Sequence, residues 1–120
     1  MYDVWRFAGV KEESDKLFEL VKSGKKTATS YMGDIDECEY SYISNYDDTE
    51  RILVRTTNLY RIEFCKVSSI HALKEGEGDL SLKYWRKVHK KFFMEECEKN
   101  GLKFDENTII ICEEFEVVKA

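Results

Sequence analysis

Ser23–Ser30, with the sequence SGKKTATS, joins a helical pattern to a strand-like pattern and organises the rest of the chain. Gly24 fits the left-handed residue that ends many helices, and Lys25 and Lys26 follow it directly. From Lys26 to Tyr31 the residues alternate with period two and include two threonines, which favours a strand. Because such a junction combines exposure with rigid flanks, it is a candidate place for chemistry.

The alternation also predicts which of these side chains meet. On a regular strand one face carries Lys26, Ala28 and Ser30, and the other carries Thr27, Thr29 and Tyr31. Lys26 and Thr29 therefore meet only if the strand begins irregularly.

Two helical patterns flank the central strand patterns, and Ser68–Leu73 predicts the beginning of a further, short helix. Lys11 to Ser23 has acidic residues in its first turn and an apolar stripe at helical spacing. A longer pattern runs from Leu82 to Lys99, with Ser81 as its expected N-cap and Asn100-Gly101 as its stop.

Strand patterns fill most of the remaining chain. Alternating or β-branched runs occur at Glu39–Tyr46, Arg51–Thr57, Leu59–Val67 and Ile109–Val118, and Tyr2–Gly9 is a short strand or an extended arm. Asn58 marks an expected bulge or bend. Neighbouring strands with flanking helices predict an α+β fold with a mostly antiparallel sheet or small barrel.

Composition limits the class of protein. The 120 residues suit a single domain spanning 1–120, and the net charge of −5 argues against a large nucleic-acid footprint. Four cysteines without a CxxC pair, and only two histidines, argue against structural zinc. With no long apolar run and no signal-peptide pattern, we expect a soluble cytoplasmic protein without membrane contact.

A second polar segment, EGEGD at Glu75–Asp79, predicts a pliable acidic loop. Its carboxylates lack the spacing of a calcium loop, so we expect neither a metal nor a cofactor. In the following helix, His89 is either a core histidine or a general base, and Trp85 is either a core residue or a platform for a stacked base.

The segments SGKKTAT, EGEGDLSLKYWRKVHKKFF and ICEEFEVV together resemble the ASCH domain family. Small bacterial ASCH proteins are similar to this chain along nearly its whole length. The family's glycine, lysine and threonine fall on Gly24, Lys26 and Thr29, whereas Tyr31 occupies the position where arginine is common. The resemblance implies a PUA-like β-barrel with flanking helices and a cleft over this motif.

The resemblance also implies a function. The family is widely proposed to bind RNA, and one branch hydrolyses the acetyl amide of N4-acetylcytidine. That branch's catalytic residues correspond here to Lys26, Thr29 and either Glu77 or Glu75, with Glu77 preferred because glycines flank it. The expected substrate-binding residues are Gly24, Tyr31, Asp79, Trp85, Arg86 and His89.

The hypothesis assigns a role to each catalytic side chain. A partly desolvated Lys26 with a lowered pKa would take the proton of the Thr29 hydroxyl, which is otherwise a poor nucleophile. Glu77 would donate a proton to the leaving amine or activate a water. The expected ligand is a pyrimidine nucleoside or a single-stranded RNA base, and the alternatives are a non-catalytic RNA-binding module and a metal-independent ribonuclease.

Overall fold

The structure, a computed structural model, describes residues 2–35 and 37–118. Its strands are β1 (Asp3–Trp5), β2 (Ala28–Tyr31), β3 (Tyr40–Ser44), β4 (Arg51–Glu63) and β5 (Ile109–Val117). Its α-helices are α1 (Lys11–Lys22), α2 (Ser69–Glu75) and α3 (Leu82–Lys99), and a short 3-10 helix covers Phe64–Lys66. The α+β class predicted from the sequence is confirmed.

The five strands form one open sheet in the order β1-β3-β4-β5-β2. β1 pairs with β3 in parallel, and the other three pairings are antiparallel. The expectation of a closed barrel is wrong, because in the described part of the chain β1 and β2 form the two edges and do not pair with each other. A barrel closes only when its first and last strands pair, and these edge strands have only 3 and 4 residues.

The longest strand, β4, combines two segments that the sequence pattern separates. Its pairing with β5 shifts register between Thr56 and Asn58, so the predicted irregularity at Asn58 is a bulge within one continuous strand. The bulge lets β4 pair with both β3 and the whole length of β5.

Helices cover both faces of the sheet. On one face, α1 contributes Phe18 and Val21 to a core that also contains Phe7, Ile43, Val54 and Phe115. On the other face, α2 and α3 contribute Ala72, Trp85 and Phe93 to a core with Phe64, Val67, Ile110 and Cys112. The alternation of side chains along β5 explains why this strand supplies residues to both cores.

The helix ends agree with the local signals. Gly24 follows α1 with a φ of +85°, and its N–H donates to the carbonyl of Val21 at 3.0 Å. The Ser81 hydroxyl caps α3 by accepting from the N–H of Tyr84 at 3.0 Å. Within residues 2–35 and 37–118, none of the helices combines the length and the apolar character needed to cross a bilayer.

Candidate functional site

Lys26 is a buried lysine that lies two residues before β2, the strand at one edge of the sheet. The turn after α1 carries it inward, where its N–H donates to the carbonyl of Leu20 at 3.0 Å and only 2% of the residue remains exposed. Its Nζ lies 3.1 Å from Oε1 of Glu75 and 2.9 Å from Oε2 of Glu77. It also donates to the backbone carbonyl of Glu75 at 3.3 Å. The ammonium is therefore held between two carboxylates.

Glu75, the last residue of α2, is an acceptor shared by several donors. Its Oε2 accepts hydrogen bonds from the Ser30 hydroxyl at 2.6 Å and the Trp85 indole N–H at 2.6 Å, and it lies 2.8 Å from Nε2 of His71. Its Oε1 lies 3.5 Å from Nε2 of His89. We refer to the residues around this carboxylate as the Lys26–Glu75 cluster, which consists of Lys26, Ser30, His71, Glu75, Glu77, Trp85 and His89.

Two glycines hold Glu77 against the cluster. Gly76 closes α2 in the left-handed conformation, with a φ of +72°, and a Cβ at this position would collide with the carbonyl oxygen of Lys25. Gly78 has a φ of +59°, and a Cβ there would run into the ring of Tyr84. The acidic segment is therefore a tight turn packed between the start of β2 and the start of α3.

The charges of the cluster reinforce one another. Burial alone would lower the pKa of Lys26, but the charges of Glu75 and Glu77 outweigh it and the pKa is raised. Burial opposes ionisation of Glu75 as well, yet the Lys26 charge and the histidine hydrogen bonds hold the pKa of this carboxyl well below its ordinary value. Lys26 is therefore an ammonium at neutral pH, and the expected lowering of its pKa does not occur.

His89 occupies the partly exposed side of the cluster. Its Nδ1 faces the carbonyl of Trp85 at 2.9 Å and so carries a proton, which turns Nε2 toward Glu75. The imidazole stacks on the indole of Trp85, with the ring centroids 4.3 Å apart. Burial by itself lowers the pKa of His89, but the hydrogen bond and charge of Glu75 raise it above its ordinary value overall.

The two hydroxyls that follow Lys26 in β2 have different surroundings. Thr29 is paired with Glu113 across the β2–β5 ladder, and Ser30 is paired with Cys112. Since successive side chains point to opposite faces of a sheet, Thr29 and Ser30 lie on opposite faces. Ser30 is the one that contacts Glu75, and it shares this partner with Lys26.

The remaining predicted site residues lie around or outside the cluster. Gly24 is exposed in the turn after α1, and Tyr31 is half-buried on the Thr29 face of β2. Asp79 is exposed and accepts from the N–H of Ser81 at 2.9 Å. Arg86 is exposed and donates to the carbonyl of Cys65 at 3.0 Å. The structure thus brings together Lys26, Glu75, Glu77, Trp85 and His89 from the predicted set.

Two members of the cluster were not predicted as site residues. Ser30 was detectable, because the period-two alternation already placed it on the Lys26 face. His71 lies four residues before Glu75, a spacing that brings two side chains together on a helix. That signal has value only if the short helix predicted from Ser68 reaches Glu75, whereas the glycine-rich composition predicted a loop from Glu75 onward.

Three members of the cluster could serve as ligands of a cation. Oxygen or nitrogen atoms of Glu75, Glu77 and His89 lie within 4.8 Å of one another. The Lys26 ammonium already lies beside both carboxylates and supplies the positive charge there. A metal ion would have to displace this amine, so the arrangement favours chemistry by the side chains themselves.

The open mixed sheet, covered by helices on both faces and carrying a lysine–carboxylate cluster at one edge, defines a PUA-like α+β domain. The ASCH domain family model matches residues 3–119, and the chain belongs to that family. None of the curated proteins matches the chain.

Three solved structures share the fold. An ASCH domain from Lactobacillus crispatus JV V101 is 25% identical, with a TM-score of 0.87 over 97% of this chain and 80% of that chain. A protein from Enterococcus faecalis V583 is 32% identical, with a TM-score of 0.86 over 98% of this chain and 77% of that chain. A hypothetical protein at 19% identity has a TM-score of 0.59 over 98% of this chain and 100% of that chain, and this match indicates the fold alone.

Proposed function

We propose that the Lys26–Glu75 cluster binds a pyrimidine nucleoside, or an unpaired base of single-stranded RNA, and hydrolyses the acetyl amide of N4-acetylcytidine. The observation that carries the proposal is the Lys26 ammonium held between a buried and a partly exposed carboxylate. The side chains of Glu77 and His89 are 18% and 12% exposed, so ligand would approach from their side. Family membership adds support, because ASCH domains are generally proposed to bind RNA.

Hydrolysis of the amide needs a charge to stabilise the oxyanion and a group to carry the proton. A water oxygen attacks the acetyl carbon, the bond from this carbon to N4 breaks, and the products are cytidine and acetate. Lys26 would stabilise the oxyanion with its charge. Glu77 would take the proton of the water and return it to the leaving amine. Glu75 would act as a positioning residue that keeps Lys26 charged and in place.

A hydroxyl nucleophile offers a second route to the same products. In this route the acetyl group is first transferred to a side-chain oxygen, the amine leaves, and water then releases acetate. The resemblance assigns this role to Thr29, which stays a prediction, whereas Ser30 is the hydroxyl in contact with Glu75. Thr29→Ala and Ser30→Ala compared side by side would distinguish the two residues, and full activity in both would favour direct attack by water.

The local charges favour a neutral ligand over a scissile phosphate. A phosphodiester placed against Lys26 would also lie beside Glu75 and Glu77, and two carboxylates repel it. This repulsion argues against the ribonuclease alternative. The non-catalytic RNA-binding module remains the second candidate, because the side chain of Lys26 is only 1% exposed and this burial limits its contact with a substrate.

The decisive experiment is incubation of the purified protein with N4-acetylcytidine and chromatographic detection of cytidine. We expect Glu77→Gln to lower turnover by about 100-fold or more, since this is the usual contribution of a general base. Glu114→Gln is the matched control, because Glu114 is also a partly exposed carboxylate paired with a lysine. A wild type that forms no cytidine but binds single-stranded RNA would establish the binding module instead.

Salt dependence separates the two candidates further. Turnover of an uncharged nucleoside should change little with ionic strength, whereas RNA affinity built on phosphate contacts should fall steeply. Turnover that collapses at high salt together with RNA binding would contradict the assignment of a neutral ligand.

A further inference from the structure

A groove on the outer side of the acidic turn is separate from the Lys26–Glu75 cluster. It has a volume of about 580 Å³, within the roughly 300–1,000 Å³ of most ligand sites. We call it the lysine groove, and its walls are Lys16, Leu20, Lys25, Thr27, Leu73, Lys74, Gly76, Gly78 and Leu80.

The charge of the lysine groove opposes that of the chain. Its lining contains three lysines and no carboxylate, although the chain has 24 acidic residues against 19 lysines and arginines. Lys74 pairs with Glu114 at 2.7 Å. Lys16 and Lys25 are exposed, and within residues 2–35 and 37–118 no carboxylate pairs with either. The groove is therefore lined by two lysines without a carboxylate partner and by a third that is paired with Glu114, and this excess of positive charge suits an anion.

Part of the lining of the lysine groove is apolar. Leu73 and Leu80 leave 54% and 43% of their surface exposed, and Leu20 lies half-buried beside them. Exposed leucines between lysines fit a ligand that alternates anionic groups with flat or apolar ones. A single-stranded polynucleotide has this character, because its phosphates alternate with sugars and unstacked bases.

The lysine groove and the cluster share one wall. Lys25 lines the groove while the next residue, Lys26, enters the cluster. Across from it, Gly76 lines the groove between Glu75 and Glu77 in the chain, and it lies so close to Lys25 that an added Cβ would collide with the Lys25 carbonyl. A strand with one base at the cluster thus needs to cross only the turn to reach the groove.

We propose that the lysine groove binds the phosphates of a single-stranded RNA next to the nucleotide whose base enters the cluster. This inference rests on the proposed function, because it assumes that the base of a nucleic acid occupies the cluster. It divides recognition between two places, since the cluster reads an uncharged base and Lys16 and Lys25 neutralise the phosphates.

The test is the affinity of a fluorescein-labelled oligouridylate, measured by anisotropy over a range of salt concentrations. We expect the double variant Lys16→Gln/Lys25→Gln to lose two phosphate contacts. The plot of log affinity against log salt should become shallower by about 1.4 in slope, because each phosphate contact on a single strand contributes about 0.7. If the variant and the wild type bind equally at about 1 M salt, this difference in slope makes the variant bind about 25-fold more weakly at about 0.1 M salt.

The matched control is Lys87→Gln/Lys91→Gln, which removes two lysines from a surface of α3 that also carries Glu95 and Glu98. We expect it to bind RNA like the wild type. Equal losses in both double variants, or none in the groove variant, would overturn the proposal. Absence of RNA binding by the wild type would also overturn it, as would an oligoglutamate peptide that binds as tightly as the oligouridylate.

Turnover of free N4-acetylcytidine separates this proposal from the proposed hydrolysis. The nucleoside has no phosphate, so the groove variant should hydrolyse it at the wild-type rate while binding RNA more weakly. Lack of nucleoside hydrolysis in every variant would contradict only the catalytic proposal, because RNA affinity reports on the groove independently.

Discussion

Replacement of Glu75 by glutamine tests whether its carboxylate maintains the whole cluster. The substitution preserves the shape of the side chain but replaces an ionised acceptor by an amide with one oxygen and one NH₂ group. Ser30, Trp85 and His71 all lie at hydrogen-bonding distance from Oε2, and Lys26 and His89 face Oε1. In either orientation of the amide, its NH₂ group faces other donors and cannot accept the hydrogen bonds that the carboxylate oxygen accepted.

The loss of stability follows from the burial of Lys26. Breaking a buried ion pair by removing one partner destabilises a protein by about 3–5 kcal/mol. Among the described residues, Glu77 is then the one carboxylate left in an ion pair with Lys26. For a chain of 120 residues this corresponds to a fall in Tm of about 10–20 °C. Urea unfolding of wild type and Glu75→Gln measures the change in the free energy of unfolding directly.

Two comparisons make this result specific. Glu114→Gln removes a partly exposed carboxylate from its pair with Lys74 and should cost less than about 1 kcal/mol. Combining Glu75→Gln with Lys26→Met should destabilise the protein by less than the sum of the single changes, because the stranded ammonium is gone. A loss below about 1 kcal/mol in Glu75→Gln would refute the reasoning, and so would strictly additive single changes.

Two further predictions concern the histidine and the turn. The pKa of His89 is raised, so its stabilising effect is complete below the unfolded pKa of about 6.5 and is lost as the pH rises through the folded pKa. NMR titration should find the folded pKa above that value, and Glu77→Gln should lower it; an ordinary pKa in the wild type would contradict the proposed contact with the carboxylates. Gly24→Ala and Gly76→Ala both place a side chain at positive φ, which costs about 1–2 kcal/mol. Gly76→Ala should cost clearly more in thermal unfolding, because its Cβ would also collide with the Lys25 carbonyl, whereas a Cβ at Gly24 meets no atom within 4 Å. Equal losses would show that this contact does not constrain the turn.

Local signals predicted most of the secondary structure. The long helix begins after the Ser81 cap and ends at Lys99, as the apolar spacing and the Asn100-Gly101 stop predict. The final strand begins at Ile109, and the irregularity at Asn58 occurs as a bulge. These features depend on residues within a few positions of one another, so the sequence contains the necessary information.

The barrel could not be judged in the same way. A barrel closes only if the strand near the N-terminus pairs with the strand after Gly24, and in the structure these two strands lie at opposite edges of the sheet. Such a pairing between distant segments leaves no signal in the local sequence. The sequence likewise hid the helical state of Glu75, because two glycines follow closely and suggest a loop. Gly76 instead closes the helix, and this leaves the Glu75 carboxylate inside the protein.

The sequence by itself determined the family, most of the helices and strands, and the face that Lys26 shares with Ser30, since periodicity and capping act over short distances. Only the tertiary structure decided that Lys26 is charged. Its pKa depends on two opposing effects, burial and the nearby carboxylates, and both arise when α2 and the acidic turn pack against the start of β2. A contact across 49 residues of chain, between Lys26 and Glu75, thus sets the chemistry of the site.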